Sequence, residues 1–320
     1  MSLMVIEPGF WTTVQDSGVA GHREWGVPVG GAFDRGSAEM ANALVGNGRD
    51  AALLEITLRG GTYEALGSLG CSLAGASIEA WLVGLDGENR RVRTPSSFTL
   101  HAGDRIALGR TLDGARTYLA VRGGIQSLAR LGSRSTEHPL RRGDFLRTRE
   151  GTIAARYPGE VPAVDAAGSP FRIIPGPDVP AGGLASYWRR GEFRVGSRSN
   201  RMGLRLEGPP LDLSSPADRL SAPVAPGAIQ VAGGQLIVLG VAAGTMGGYP
   251  HVAHVVSADL DRLAQLRPGE RIGFQPVSLA EARELDREAR RTQRMLLLRI
   301  GSLARDHRVA MVPCSDAPSL

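Results

Sequence analysis

The stretch from Gly244 to His251 reads GTMGGYPH and sets a hydroxyl, a phenol and an imidazole around two adjacent glycines. Adjacent glycines let a backbone come close to a bound anion or carbonyl, and their amides then serve as donors. Thr245 and Tyr249 would add hydroxyls, and His251 a group that titrates near neutrality. His251 and His254 are three apart, a spacing that on a helix would put both on one face for a metal. Pro250 and the β-branched run VAHVV argue instead for a strand, where an odd separation sends the two rings to opposite faces. No metal site is therefore expected, and no HExxH or CxxC pattern adds one.

Arginine supplies the other candidate chemistry. The chain has 37 Lys+Arg, and every one is Arg. Without lysine there is no Schiff base, no Walker-type phosphate loop and no attachment point for biotin on this chain. Arg still offers a two-pronged grip on carboxylate or phosphate. VPVGGAFD leads into Arg35, and VGSRSNRMGLRLEG carries Arg201 and Arg205, each beside glycines. Asp34 next to Arg35 would hold the turn. LGSRST presents Arg134 and Ser135 in a turn that could cradle an anion. Glu55 lies inside the apolar run ALLEITL, where a carboxylate is costly unless paired. It is either ion-paired and functional or exposed at a strand edge. No GxSxG elbow occurs, and nothing spells a Ser-His-Asp triad.

The elements that must position these groups are mostly strands. There are 43 glycines in 320 residues and only 5% aromatics, against roughly 7% glycine in ordinary chains. That composition, with many short apolar runs, favours β structure with tight turns. The length suits one large or two mid-sized domains. AGDRIAL at 102–108 resembles PGERIGF at 268–274, VGGAFDR at 29–35 resembles VGSRSNR at 195–201, and IEPG at 6–9 resembles IIPG at 173–176. These anchors keep an offset of 166 or 167, so an internal duplication is expected, one unit near 6–109 and another near 173–276. Helices are expected at 35–46, stopped by Gly46, and at 257–266, capped by Ser257. A third should open with the capping box Ser278-Leu-Ala-Glu281, as an appendage or oligomer contact. The segment 149–171 reads as a linker, and the last residues as a frayed tail.

The net charge is +5, but the arginines are scattered and no nucleic-acid motif appears. LIVLGVAA, the longest apolar stretch, is far short of a bilayer span. The start MSLMVIEPGFW lacks the features of a signal peptide. Cys71 and Cys314 make no disulfide framework. A cytoplasmic protein, bound neither to membrane nor to nucleic acid, is expected.

Several ordered blocks carry a resemblance. IEPGFWTTVQDSG at 6–18, GVPVGGAFD at 26–34, ANALVGN at 41–47, LLEITL at 53–58, YLAVRGGI at 118–125 and LGSRST at 131–136 belong to it. So do RMGLRLEG at 201–208, GAIQV at 227–231, GGYP at 247–250 and SADLDRLAQLRPGERI at 257–272. Together they resemble the biotin-dependent carboxyltransferase family, which takes in the C subunit of 5-oxoprolinase, allophanate hydrolase subunit 2, KipA and the carboxyltransferase part of urea amidolyase.

The resemblance implies a mainly β fold of two tandem cyclophilin-like β-barrel units, with boundaries at 1–165 and 166–277 and a helical appendage with tail at 278–320. It implies a companion protein, resembling allophanate hydrolase subunit 1 or the B subunit of 5-oxoprolinase, and a site shared with it. ATP held with that companion and a small amide or lactam substrate follow. The reaction would be ATP-driven opening of 5-oxoproline to glutamate, or carboxyl transfer from carboxybiotin to a urea-like acceptor. Thr245, Tyr249, His251 and Glu55 are then the catalytic candidates. Asp34, Arg35, Arg134, Ser135, Arg201, Arg205, Gln230, Gly247 and Gly248 are the ligand-binding candidates.

The chain departs from the family pattern at Val19, where Arg is usual, and at Asn200, where Asp is usual. VAAGTM replaces a stretch with Asp and Gln, His251 takes the place of a Lys, and EHPLR shortens a Gly-rich segment. These departures define an alternative, a catalytically degenerate regulatory module that still pairs with its companion.

Overall fold

The computed structural model describes residues 1–159, 168–180, 182–213 and 220–305. The middle of the expected linker, the boundary at 165, and the tail with Cys314 lie outside the described residues.

The N-terminal unit is built from two antiparallel sheets. One has the order Phe145–Arg147, Ser2–Glu7, Thr62–Ala65, Arg105–Thr111, Ile78–Val83, Asn89–Arg91. The other has the order Trp11–Gln15, Leu53–Thr57, Arg116–Val121, Leu69–Gly75, Ser96–Leu100. Ile78–Val83, IEAWLV, alternates buried and exposed positions because one face meets water. Arg116–Val121 is buried throughout because it lies between two strands and under a helix. Leu3, Tyr63, Leu69, Leu100 and Ile106 fill the space between the sheets with no exposed surface.

Glu55 sits on a central strand, opposite Thr13 on one side and Tyr118 on the other. The expected alternative of an exposed strand edge is therefore wrong.

The C-terminal unit is built on an eight-stranded sheet, with a separate two-stranded sheet of Ala222–Pro223 and Met246–Gly247 at its rim. The order of the large sheet is Arg271–Ile272, Phe193–Val195, Gly203–Glu207, Gln235–Leu239, Ala228–Ala232, His251–Val255, Phe171–Pro175, Phe274–Pro276. The first and last strands flank Gly273, so the sheet curls almost into a closed barrel.

Four α-helices complete the fold among the described residues. Helix α1, Arg35–Leu44, starts where the Asp34 side chain accepts the Ser37 amide at 2.9 Å. It lays Met40, Ala41 and Leu44 on the second N-terminal sheet. Helix α2, Ala185–Arg190, buries Trp188 in the barrel against Phe274, ring centroids 5.4 Å apart. Helix α3, Leu260–Ala264, follows a 3-10 turn at Ser257–Asp259. Ser257 makes no cap there; Asp259 is buried and turned instead to the guanidinium of Arg172. Helix α4, Leu279–Arg305, opens with the expected box, Glu281 N donating to Ser278 Oγ at 3.2 Å. It is no free appendage. Ile300 and Leu296 pack on the α1 layer, and Gln293 donates to Gly36 O at 3.0 Å.

The repeat anchors coincide only in part. GD at 103–104 and GE at 269–270 are both turns entering strands. Yet at an offset of 166, α1 falls on the strand Gly203–Glu207. Ser2–Glu7 pairs with Thr62–Ala65, whereas Phe171–Pro175 pairs with His251–Val255 rather than Ala228–Ala232. Alike turns thus sit in differently wired sheets.

Candidate functional site

The strand that carries Glu55 brings it to the seam between the units. Arg201 Nη1, from the turn before Gly203–Glu207, donates to Glu55 Oε1 at 2.5 Å. Arg116 Nε lies 3.5 Å from the same oxygen. Glu55 Oε2 accepts the Tyr118 hydroxyl and the Phe33 amide, both at 2.8 Å. Arg201 also donates to Gly31 O at 2.6 Å and to Glu137 Oε2 at 2.8 Å. Glu55 is 1% exposed and Arg201 5%. Burial pushes the Glu55 pKa up, but the Arg201 and Arg116 guanidiniums, with the Phe33 and Tyr118 bonds, outweigh it and hold it below the usual carboxylate range. Burial, reinforced by the Glu55 charge, pushes the Tyr118 phenol well above its ordinary value. The pair is thus carboxylate and phenol at neutral pH.

A second layer continues from this hub. Asp34 N donates to Tyr118 Oη at 2.8 Å. The Asp34 carboxylate accepts the Ser37 hydroxyl at 2.7 Å and Gln265 Nε2 at 2.6 Å. Gln265 Oε1 accepts the amides of Ala115 and Arg116 at 3.0 and 2.8 Å. Arg35 and Gly36 amides donate to Asp261 at 2.9 and 3.0 Å. The seam is therefore a continuous polar network, and Phe33 crosses it into the barrel core under the Arg116 guanidinium, 4.6 Å from its ring centroid. Burial, and next the Asp34 charge, raises the Asp261 pKa to about 7.

The LGSRST turn does cradle an anion, and that anion is the chain's own Asp16. Ser133 and Ser135 hydroxyls donate to Asp16 Oδ1 at 2.6 Å each, and the Arg134 amide to Oδ2 at 2.5 Å. The Arg134 guanidinium turns to Ser127 O at 3.1 Å.

The GTMGGYPH stretch forms a rim on the barrel. Met246–Gly247 pairs with Ala222–Pro223. Thr245 is buried, and its carbonyl accepts the Val224 amide at 2.9 Å. The Arg23 guanidinium donates to Val224 O, and Gly30 N donates to Val241 O at 2.9 Å, so the loop 18–31 of the first unit lies along this rim. Buried Gln230 donates to Tyr249 O at 3.3 Å, and a Cβ on Gly247 would collide with its Nε2. A Cβ on Gly248 would meet only Ser221 Oγ, at 3.5 Å. Tyr249 is 54% exposed, with Met246, Met202 and Trp25 also open to solvent.

His251 and His254 do not point apart. Gln230 pairs with His251 and Ile229 with Ala253, so a bulge at Val252 shifts the parity and leaves the two rings 5.6 Å apart. Burial, then the neighbouring His251, lowers the His254 pKa to about 4. The described residues contain no group of three or more His, Cys, Asp or Glu able to hold a metal. Cys71 is buried, which pushes its thiol up to about 12.

The sequence candidates therefore fall into three groups. Glu55, Asp34 and Arg201 share the buried hub. Ser135 and Arg134 hold Asp16 beside it. Thr245, Gln230, Gly247, Gly248, Tyr249 and His251 form the rim. Arg35 is exposed at the start of α1, its guanidinium 3.3 Å from Ser17 O. Arg205 is exposed on its strand, tied through its backbone to Ser199 Oγ at 3.1 Å. Sequence reasoning missed Arg116, Tyr118, Gln265, Asp16 and Glu137. The signal for Arg116 and Tyr118 was present: a carboxylate in one apolar run asks for a cation in another, and RTYLAV has one.

A mainly β chain with a buried carboxylate–guanidinium seam and a glycine-rich rim matches one family over most of its length. Residues 25–276 match the carboxyltransferase domain, subdomain A and B. The chain belongs to this family of biotin-dependent carboxyltransferase and oxoprolinase proteins. It is 36% identical to the C subunit of 5-oxoprolinase from Escherichia coli K12, over 93% of this chain and 98% of that one. It is 33% identical to the C subunit of 5-oxoprolinase from Haemophilus influenzae, over 86% of this chain and 91% of that one. The crystal structure of the K. lactis urea amidolyase superposes with a TM-score of 0.78 at 26% identity, over 92% of this chain. The match spans only 20% of that longer protein. No helix among the described residues is long and apolar enough to cross a membrane.

Proposed function

We propose that this chain is the C subunit of an ATP-dependent 5-oxoprolinase, with its working site completed by a companion protein. The observation that carries the reading is coverage: 98% of the E. coli oxoprolinase subunit is matched, against 20% of the urea amidolyase structure. In this reading the substrate lactam meets the rim, where Tyr249 and the Gly247–Gly248 backbone face solvent and Thr245, Gln230 and His251 stand behind them. Glu55 and Arg201 act from beneath, holding the loop at Gly31 and the rim loops in place. Nucleotide phosphates would meet Arg35 and Arg205, the exposed guanidiniums among the candidates, together with the companion. Biotin is not attached here, because no lysine exists to carry it. The finer architecture, two cyclophilin-like barrels divided near residue 165, goes with this reading and draws support from the nearly closed second sheet.

The rival reading is a regulatory module without turnover. It is favoured by one observation: Arg134, Ser135, Glu55 and Arg201 spend polar atoms within the chain, on one another or on Asp16, Gly31, Phe33, Tyr118, Ser127 and Glu137. Co-expression with the companion separates the two. The complex should hydrolyse ATP only when 5-oxoproline is added, and the isolated chain should do little. A stable complex silent with every lactam and amide offered would decide for the regulator.

A further inference from the structure

Beyond the far end of the Leu53–Thr57 strand, a cavity of about 360 Å³ lies at the seam of the two units. Its walls are Glu7, Phe10, Leu58, Arg59, Arg110 and Arg267. It shares no residue with the rim or the Glu55 hub.

The charges in it are unbalanced. Arg59 and Arg110 face each other in an isolated antiparallel bridge, and like charges directly opposite on neighbouring strands repel. Arg267 brings a third guanidinium from the other unit. Its Nε donates to Gly114 O and its Nη2 to Thr111 O, both at 2.7 Å, which fixes the head at the cavity wall. The one carboxylate lining the cavity is Glu7, which reaches Arg59 at 3.3 Å. Arg110 is held through its backbone amide, 3.2 Å from Glu79 Oε2. Its exposed guanidinium makes no ion pair among the described residues. An arrangement that gathers three cations around one anion is relieved by a second anion.

The backbone points the same way. Leu58 has φ of 61°, in the left-handed region, and is pinned there by bonds from its own amide to Ala115 O and from Thr111 N to its carbonyl. Such a conformation is unfavourable for a leucine and gathers at ligand sites. Phe10, 65% exposed, and Leu58 add an apolar wall beside the guanidiniums.

We propose that this cavity binds a small organic anion, a carboxylate or phosphate group on a compact apolar body. Arg59 and Arg110 grip the anion, and Phe10 and Leu58 take the body. Because Arg267 comes from the second unit and its anchors from the first, an occupied cavity also fastens the seam. The assignment is independent of the oxoprolinase reading, since it uses none of that site's residues.

The test is titration calorimetry on the full chain at low ionic strength. Benzoate and phenyl phosphate are the probes, benzamide the uncharged control and inorganic phosphate the bare anion. Saturable binding of benzoate or phenyl phosphate is expected, with whichever is tighter naming the carboxylate or the phosphate as the preferred head group. Benzamide should give no saturable heat, and inorganic phosphate should bind more weakly than phenyl phosphate. Arg110→Gln should weaken the organic anions about tenfold or more, the range for losing a charge-assisted contact. Arg59→Gln should do the same, and Arg90→Gln, at an exposed arginine of Asn89–Arg91 outside the cavity, should titrate like the wild type. The proposal is overturned if neither organic anion saturates or if benzamide matches benzoate. It is equally overturned if inorganic phosphate matches phenyl phosphate, or if both Arg variants titrate like the wild type.

Discussion

Arg201 of the barrel reaches the Glu55 carboxylate of the first unit at 2.5 Å, and both side chains are almost wholly withdrawn from water. A pair this dry is a specific linkage between the units, and removing one partner leaves the other's charge buried and uncompensated.

Arg201→Met should therefore destabilise the protein by about 3–5 kcal/mol, and Glu55→Leu by a similar amount. Arg201→Met with Glu55→Leu should recover a good part of the loss. Urea unfolding midpoints of the four proteins give the coupling directly; additive losses would show that the pair does not act as one. The sign with pH follows from the lowered Glu55 pKa. Its contribution is complete above the unfolded carboxylate value and disappears as pH falls through the lower folded value. The double variant should lack that acid-side loss.

Glu55 shows where sequence reading works and where it stops. A carboxylate in ALLEITL demands a partner, so an ion-paired centre was legible. Which cation answers it was not, because Arg201 lies 146 positions away and only the packing of the two units brings it near. The α1 helix and the Ser278 box were legible because each is a local pattern, whereas Asp34, read only as holding a turn, proved to cap α1. The LGSRST turn was legible as an anion cradle, but its occupant, Asp16, is 119 positions from Ser135. The two histidines were misread because a bulge is a property of two paired strands, and alternation in one strand cannot reveal it. The fixed offset of the anchors is carried by turns for a similar reason: turn sequences recur without the same strand pairing around them, so the offset alone does not give the register.

Asp261 should make the seam pH-sensitive. It accepts the first two amides of α1 and lies near Asp34, and its pKa is raised to about 7. A raised carboxylate pKa means the folded state holds a proton that the unfolded chain has released. Stability from this group is complete below about pH 4, the ordinary Asp value. It falls as pH rises through about 7. Asp261→Asn should flatten the stability profile across that window, read as urea midpoints from pH 4 to 8. An identical slope in the variant would remove Asp261 from the account.

Asp16 is expected to fasten the loop that carries Arg134 and Ser135. Its carboxylate accepts from Ser133, Ser135, the Arg134 amide and, at 2.8 Å, the Gly18 amide. Asp16→Asn turns an amide hydrogen toward a donor and should cost about 1–3 kcal/mol. The local effect should exceed the global one, with faster hydrogen exchange at 131–137 than at the strands. Equal protection of that loop in both proteins would contradict the assignment.

Gly247 and Gly248 are adjacent but should answer substitution differently. A Cβ on Gly247 runs into the amide end of Gln230, a buried side chain that also holds the Tyr249 carbonyl. Gly247→Ala must therefore push Gln230 aside, break that bond and shift the rim, costing about 1–3 kcal/mol as overpacking does. A Cβ on Gly248 meets only Ser221 Oγ at ordinary contact distance, so Gly248→Ala should leave stability within about 0.5 kcal/mol of wild type, as surface changes do. In the complex with the companion, lactam-dependent ATP hydrolysis should fall with Gly247→Ala. Gln230→Ala in the same background should restore stability by making room for the methyl group while leaving turnover low, because Tyr249 has lost its tether. Unfolding midpoints and turnover rates on the three variants check this. If Gly247→Ala alone is stable and active, the rim does not depend on the Gln230 contact, and its glycines serve only the turn.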